Sequence, residues 1–385
     1  MKKLALGIDY SNICYRSLFT CRYGNPDIKN FDTKEECDVF VRKVCTDIAY
    51  ITRLFQANSV YLLVDSKHPW RNDITGDYKA NRKKDDTLNM TNIYKSMEDL
   101  LEILKSRGFF SVAIDRAEAD DLAALFKKHM YEDSDTNIVF ASADGDWLQL
   151  IDFNPNTTQY TVVFNPIANN KGTKVLSCTP EFMKWIQEEN KSDIFFTNYN
   201  PTKEKILNIT NKDSKIKFQE VFPMEVLLKK IMCGDDGDNV PTFYDYMKNG
   251  KKVRITENRL IKIREECPFN DVVSLNECTK SGKLKDAIIK VMKDDVDTCN
   301  MVDRLNRQRM FVELNTELFP KHIIDGFDSI KSELDNARVY EDMFKMEAIV
   351  KGTKYEPSLR QAKSNLNSIF KGFIDVPVNK TNSLF

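Results

Sequence analysis

The sequence predicts an α/β fold built on a parallel sheet, and three observations predict it. Short apolar runs recur as strands, amphipathic stretches of helical period separate them, and acidic residues close several of the runs. Residues 4–8 and 59–64 read as buried strands, as do 110–114 and 137–141, with 159–164 as a further one. Between them Phe40, Val41, Val44, Ile48, Ile51 and Phe55 form one helical stripe, and Ile93, Met97, Leu100, Leu101 and Leu104 form another. Leu122, Leu125, Phe126 and Met130 mark a third helix. Strands that alternate with helices pair in parallel through right-handed crossovers. Residues 1–180 are therefore expected to form one α/β domain. Beyond it, 181–222 reads as a polar insertion rich in Asn, Lys, Asp and Thr. Residues 223–320 read as mainly helical, and 321–385 as a helical extension with a C-terminal tail.

At 385 residues the chain can bury a full core, and 42% apolar with 30% charged residues is an ordinary composition for a water-exposed globular protein. No run approaches the length of a membrane span, and Met1-Lys2-Lys3 leads straight into a strand-like segment. Nine cysteines with no CxxC pair argue against zinc ribbons and redox motifs. Several lie in apolar stretches, as free thiols do in a reducing compartment, so a cytoplasmic location is expected. Three histidines disfavour an imidazole-rich zinc or iron site and favour hard, oxygen-ligated ions such as Mg²⁺, with Mn²⁺ as a substitute.

The acidic residues carry the most information. Asp9, Asp65 and Asp144 each follow a predicted strand, Glu118, Asp120 and Asp121 open a predicted helix, and Asp235 and Asp238 flank Asp236-Gly237. Each one alone reads equally well as a helix cap or turn former. Together they point to a pocket, because strand C-termini in such a sheet share one rim. Asp144 and Asp146 bracket a glycine, while Glu118 with Asp121 and Asp235 with Asp238 stand three residues apart. Carboxylates gathered there repel unless a cation joins them, and two divalent ions in such a pocket suit phosphodiester hydrolysis. There is no convincing Ser-His-Asp or Cys-His set.

A net charge of −1 hides local basic patches. Lys248, Lys251, Lys252, Arg254, Arg259, Lys262 and Arg264 face one acid, Glu257, over 248–264, and six Lys and Arg occur over 67–84. Such patches are able to follow a phosphate backbone, although solvated faces look the same in sequence.

The ordered set Gly7-Ile8-Asp9, Val64-Asp65, Glu118-Ala119-Asp120-Asp121, Ser142-Ala143-Asp144-Gly145-Asp146 and Gly234-Asp235-Asp236-Gly237-Asp238-Asn239-Val240-Pro241 resembles the 5′ nuclease family. That family comprises flap endonucleases, polymerase 5′ nuclease domains and phage exonucleases. The segment Trp70-Arg71-Asn72-Asp73 followed by residues 77–83 looks most like the ribonuclease H of tailed phages. The resemblance spans roughly residues 4–315. It implies a PIN-like 5′ nuclease domain with a helical arch near 70–95. A duplex-binding domain with a helix–three-turn–helix-like module would follow at 223–320.

By resemblance, Asp9, Asp65, Glu118, Asp120 and Asp144 are ligands of a first Mg²⁺. Asp146, Asp235 and Asp238 are ligands of a second, and Asp121 serves either. Lys79 and Arg82 at the arch base contact the scissile phosphate, with Tyr78 and Lys83 beside them. Lys251, Lys252 and Arg254 lie where duplex backbone is gripped, although the family's glycine-rich hairpin is missing there. The implied activity is 5′-3′ exonuclease, flap endonuclease and ribonuclease H on RNA–DNA hybrid and duplex DNA, as in primer removal. A monomer is expected, with a sliding clamp and single-strand-binding protein as partners and no membrane. The terminal Leu384-Phe385 resembles clamp-docking tails of phage systems, and the alternative for this apolar pair is packing back onto the chain's own core.

Two alternatives fit these residues less well. A haloacid-dehalogenase-like phosphatase needs an Asp where Ser11 stands. A non-catalytic DNA-binding scaffold would have eroded carboxylates, and every expected position is filled.

Overall fold

The computed structural model describes residues 3–57, 59–82, 85–132, 136–167, 173–189, 210–211, 214–293, 300–334, 336–339 and 341–357. The chain enters through β1 (Lys3–Asp9), which sends Leu6 and Ile8 to one core and Ala5 to another. Asp9 caps α1 (Tyr10–Gly24) by accepting a hydrogen bond from the Asn12 amide at 3.0 Å. A Thr33–Glu36 capping box starts α2 (Lys34–Phe55). The alternation then runs β2 (Ser59–Leu63), α3 (Met90–Ser106), β3 (Phe110–Val112), α4 (Ala119–Glu132) and β4 (Thr136–Ala141). The sheet is completed by β5 (Asp152–Asn154), β6 (Gln159–Asn165), β7 (Thr173–Cys178), α5 (Pro180–Glu189), β8 (Thr210–Asn211) and β9 (Ser214–Glu220).

Strand order is β3-β2-β1-β4-β6-β7-β9-β8, with β5 beside β6. β3, β2, β1, β4 and β6 pair in parallel, as expected from sequence, whereas β5 and β7 run antiparallel to β6. From β1 the chain first builds outward to β3 and then returns to place β4 on the other side of β1. That reversal makes the carboxyl ends of β1 and β4 the switch point where ligands bind in open α/β sheets. Asp9 closes β1 there, and Asp144 lies three residues past β4. Gly7 is required by the packing beneath them: a Cβ would come within 2.7 Å of the Phe140 ring.

The helical part begins with α6 (Pro223–Cys233) and a two-stranded hairpin of β10 (Asp245–Lys248) and β11 (Lys251–Arg254). It continues through α7 (Glu257–Glu266), α8 (Val272–Lys280), α9 (Lys283–Met292) and α10 (Met301–Val312). Leu228, Ile231, Ile263, Leu275, Leu284, Ile288 and Leu305 form its own buried core. Then α11 (Lys321–Leu334) and α12 (Met346–Val350) turn back to the sheet.

Four regions differ from the sequence expectation. Between Asp73 and Met90 the described residues form turns and not a helical arch. Gly76 and the charged run to Asp86 offer no apolar stripe to hold a helix. Residues 181–222 hold most of α5 and the sheet strand β9, paired with β7, while 190–209 fall outside the described residues. The basic run at 248–264 lies on the hairpin and α7, and Asn249-Gly250, both at positive φ, make the turn. Finally, α11 and α12 are not an extension but cover opposite faces of the first domain. Ile323 and Phe327 join the core under α4, and Ile349 and Val350 join the core of α1 and α2. Residues 358–385, with the proposed clamp tail, lie outside the described residues.

Phe327 is 1% exposed in that core. Phe327→Ala should cost about 3–5 kcal/mol, seen as a lower denaturant midpoint of the sheet domain. A change confined to local fluorescence, with an unaltered midpoint, would refute the packing role of α11.

Candidate metal centre

Each strand end delivers its carboxylate by a backbone device. Asp9 Oδ1 caps α1, and its Oδ2 accepts a hydrogen bond from Ser142 Oγ at 2.8 Å, which joins the rims of β1 and β4. Asp144 caps the following 3₁₀ turn by accepting from the Asp146 amide at 2.9 Å. Asp65, two residues past β2, accepts from the Ala119 amide at the start of α4 at 2.7 Å. At the start of α4, oxygens of Glu118, just before the helix, and of Asp120 and Asp121 in its first turn lie within 4.8 Å of one another. Residues 234–240 close as a tight loop through paired hydrogen bonds between Asp235 and Val240 (3.0 and 2.8 Å). Gly234, at φ +73°, permits this loop, because a Cβ would meet the Val240 carbonyl at 2.5 Å.

Cations from elsewhere in the chain interleave with these acids. Arg71 is 1% exposed. It donates to Glu118 at 2.8 Å and to the Phe311 carbonyl of α10 at 3.0 Å, and Nη2 lies 2.8 Å from Asp121 Oδ1. The other oxygen of Asp121 accepts from Trp70 Nε1 and from the Glu118 amide, both at 3.0 Å. Lys79 pairs with Glu118 and lies 3.7 Å from Asp238, while Arg82 donates to Asp238 at 2.6 Å. Tyr78 donates to Glu118 at 3.1 Å. Lys230 on α6 pairs with Asp146 and donates to Asp235 at 2.6 Å.

The arrangement divides the carboxylates by their company. Burial, then repulsion from Asp65, pushes Asp9 up to about 8. Burial and the neighbouring Asp144 push Asp146 up to about 7. Asp120 and Asp144 are also raised, first by burial. Glu118 goes the other way: burial is outweighed by Lys79 and Arg71, and its carboxyl falls to about 2. Lys79 and Lys230 are raised despite burial, by Glu118 and Asp238 in one case and by Asp146 and Asp235 in the other. Raised, mutually repelling carboxylates with only oxygen donors fit a hard divalent cation, which would supply the missing positive charge.

The structure thus brings Asp9, Asp65, Glu118, Asp120, Asp121, Asp144, Asp146, Asp235 and Asp238 to one rim, with Tyr78, Lys79 and Arg82 over it. Lys251 and Lys252 stand apart on the exposed hairpin, and Arg254 reaches back only as far as Asp236, at 2.6 Å. Lys83 lies outside the described residues. Sequence reading quoted Trp70-Arg71 and Ser142 without giving any of them a role, and it missed Lys230 and Asn12. Arg71 carried one usable signal, an Arg beside a Trp upstream of the acidic helix. Lys230 had none, being one of two adjacent lysines on an amphipathic helix.

Residues 4–183 match the 5′-3′ exonuclease, N-terminal resolvase-like domain. That stretch of the chain carries the N-terminal domain of 5′-3′ exonucleases. Among solved structures this chain resembles a bacteriophage T5 5′-exonuclease with bound zinc, at 17% identity and TM-score 0.51, over 87% of this chain and 99% of that one. A bacteriophage T5 flap endonuclease variant in a pseudo-enzyme-product complex with DNA and metal ions matches at 15% identity and TM-score 0.50, over 86% and 99%. At such identities the likeness is one of fold. A comparison with curated protein sequences finds no relative. Among the described residues, no helix is long and apolar enough to cross a membrane.

Asp9 and Asp146 keep their protons in the folded chain to about 8 and about 7, well above the ordinary aspartate value of 3.8. The folded state then binds more protons than the unfolded one across that window, so stability falls as pH rises through it. In EDTA the melting temperature should decline from pH 5 to pH 8. Added Mg²⁺ should raise it more at pH 8 than at pH 5. A flat profile, or an equal Mg²⁺ effect at both pH values, would contradict this electrostatic account.

Proposed function

We propose that this chain is a 5′ nuclease that hydrolyses phosphodiester bonds from the 5′ ends of nucleic acid, using two Mg²⁺ ions. The observation that carries the reading is the convergence of nine carboxyl groups at the β1/β4 switch point beneath Lys79 and Arg82. Asp9, Asp65, Glu118, Asp120 and Asp144 would hold one ion, and Asp146, Asp235 and Asp238 the other. Asp121, with both oxygens engaged by Trp70, the Glu118 amide and Arg71, serves as a brace for that set. When bound, the ions supply an activated water and neutralise charge at the scissile phosphate. Lys79 and Arg82, paired here with Glu118 and Asp238, are placed to turn toward the phosphate and stabilise its developing charge. Tyr78, stacked at 6.0 Å on Phe311, anchors their turn. Lys79 itself takes φ +58°, and its amide donates to the Asp238 carbonyl at 2.9 Å, which ties the turn to the acidic loop.

RNA–DNA hybrid, flap and nicked duplex are the substrates this reading assigns, with RNA primer removal in replication as the setting. The hairpin carrying Lys248, Lys251 and Lys252, with Arg254 at its base, would grip duplex backbone. The C-terminal Leu384-Phe385 would serve a sliding clamp. Purified protein with Mg²⁺, offered 5′-labelled hybrid, nicked duplex, flap and single strand side by side, tests the assignment. Short products with 5′ phosphates are expected.

Asp144→Asn should remove nearly all turnover and leave substrate binding intact, since it touches the carboxylate set and not the basic patches. Lys79→Ala should lower the single-turnover rate by roughly 10²-fold. Wild-type turnover in excess EDTA, or full activity of Asp144→Asn, would overturn the reading.

Charge reversal at Lys251, Lys252 and Arg254 should weaken duplex affinity and flatten its dependence on salt, with the chemical step unchanged. An unaltered salt slope in that triple variant would move the duplex grip elsewhere.

A further inference from the structure

Lys174, on β7, anchors a second group of cations, away from the carboxylates. Register carries the level of the β1 terminus across the sheet: Ile8 is opposite Ala141, Ala141 opposite Phe164, and Phe164 opposite Leu176. Lys174 therefore stands just past that level, three strands along, a distance of about 14 Å from strand spacing alone. Leu176 and Cys178 enter the core under α1 and α2, and Lys174, in phase with them, faces the same side. Its Nζ lies 3.7 Å from the centroid of the Tyr50 ring.

Among the described residues the charges around Lys174 do not balance. Arg16 from α1 and Lys43 and Asp47 from α2 are within electrostatic reach. Asp47 is already committed: both its oxygens accept from Lys43 at 2.6 Å, Oδ2 accepts from Ser17 at 2.7 Å, and Arg16 pairs with it at 3.4 Å. Three cations thus bear on one carboxylate among the described residues. Burial, then Arg16, brings the Lys174 ammonium down to about 7. A half-buried excess of positive charge is unfavourable unless an anion meets it. The anion that belongs on this rim is the polyanion cut next to it.

We propose that Lys174 and Arg16 form a phosphate subsite for the nucleic-acid strand, a few nucleotides along the rim from the scissile bond. The proposal rests on the nuclease reading above and adds a contact to it. Lys43 stays with Asp47, and that pair orients Arg16. A phosphodiester arriving between Arg16 and Lys174 supplies the missing negative charge and keeps Lys174 protonated. Contacts of this kind position the strand without reading its sequence.

The test measures binding and cleavage separately. Fluorescence anisotropy in EDTA, over a series of salt concentrations, compares wild type, Lys174→Ala, Lys174→Met and Lys174→Arg on labelled single strand and nicked duplex. Loss of one phosphate contact should reduce the slope of log affinity against log salt by roughly 0.7–0.9. Lys174→Arg should restore it. With Mg²⁺, Lys174→Ala should raise KM and leave kcat at saturation unchanged. Lys174→Met keeps an apolar stem against Tyr50, so it remains informative if the alanine variant fails to fold. A folded Lys174→Met with wild-type affinity and slope would overturn the subsite, leaving Lys174 as packing on Tyr50. Absence of cleavage by wild type would instead overturn the nuclease reading, an outcome the binding series does not share.

Discussion

Repulsion among buried carboxylates at the β1/β4 switch point is the constraint to which the rest of the molecule responds. Three strand ends and one helix start must place acids there, and each is fixed by a hydrogen bond to backbone or to Ser142. Without compensation this would be a destabilised rim. Arg71 compensates from within: at 1% exposure it meets Glu118, Asp120 and Asp121 while its Nε binds a carbonyl of α10. A buried guanidinium among three carboxylates is costly to break, because removing it leaves charges with no partner and no water. Arg71 therefore fastens the helical part to the sheet through the same contacts that organise the acidic rim.

The acidic loop at 234–240 and the turn at 77–82 depend on each other in a similar way. Lys79 donates its amide to Asp238, Asn239 donates to the Asp77 carbonyl at 2.8 Å, and Asn81 donates to the Asp236 carbonyl. Both Lys79 and Asn239 sit at positive φ, a region that asparagine tolerates and lysine rarely adopts. A lysine held there by a backbone lattice indicates that tertiary contacts, not local preference, set this geometry. It is also why no helix forms there, although the segment carries the cations an arch would need.

Much of the first domain was legible in sequence because its signals are periodic. Apolar runs buried on both faces, and helix stripes such as Phe40 to Phe55, mark elements whose partners are fixed by crossover handedness. The acidic rim was legible for a different reason: carboxylates at strand ends have few structural uses once they accumulate. What escaped was whatever depends on contacts distant in sequence. Arg71 finds Phe311 across 240 positions, and Lys230 finds Asp146 across 84, with no local pattern to announce either. The hairpin at 245–254 was hidden by its composition, since Asp245 to Arg254 alternates poorly and is mostly exposed. Its turn, Asn249-Gly250, was the readable cue. The return of α11 and α12 to the sheet was hidden because an amphipathic stripe names a buried face but not the surface that buries it.

The pattern of charge compensation separates parts of the rim that must give way from parts that must not. Arg71 and Asp121 are sealed, 1% and 0% exposed in their side chains, and nothing entering the site can replace them. Lys79 and Arg82 are 23% and 37% exposed, and Lys230 is 17%, each held by a carboxylate at the edge of the pocket. Because these side chains reach solvent, water or another partner can compete for them, which it cannot do for Arg71. A cation arriving among the carboxylates would compete with those lysines and that arginine, and release them toward whatever anion accompanied it. Arg71 would stay where it is, because its hydrogen bond to Phe311 does not depend on the charge state of the pocket. The same chain thus provides a rigid brace and a ring of exchangeable cations. The ordering follows from burial alone: the deeper the pair, the less it can trade.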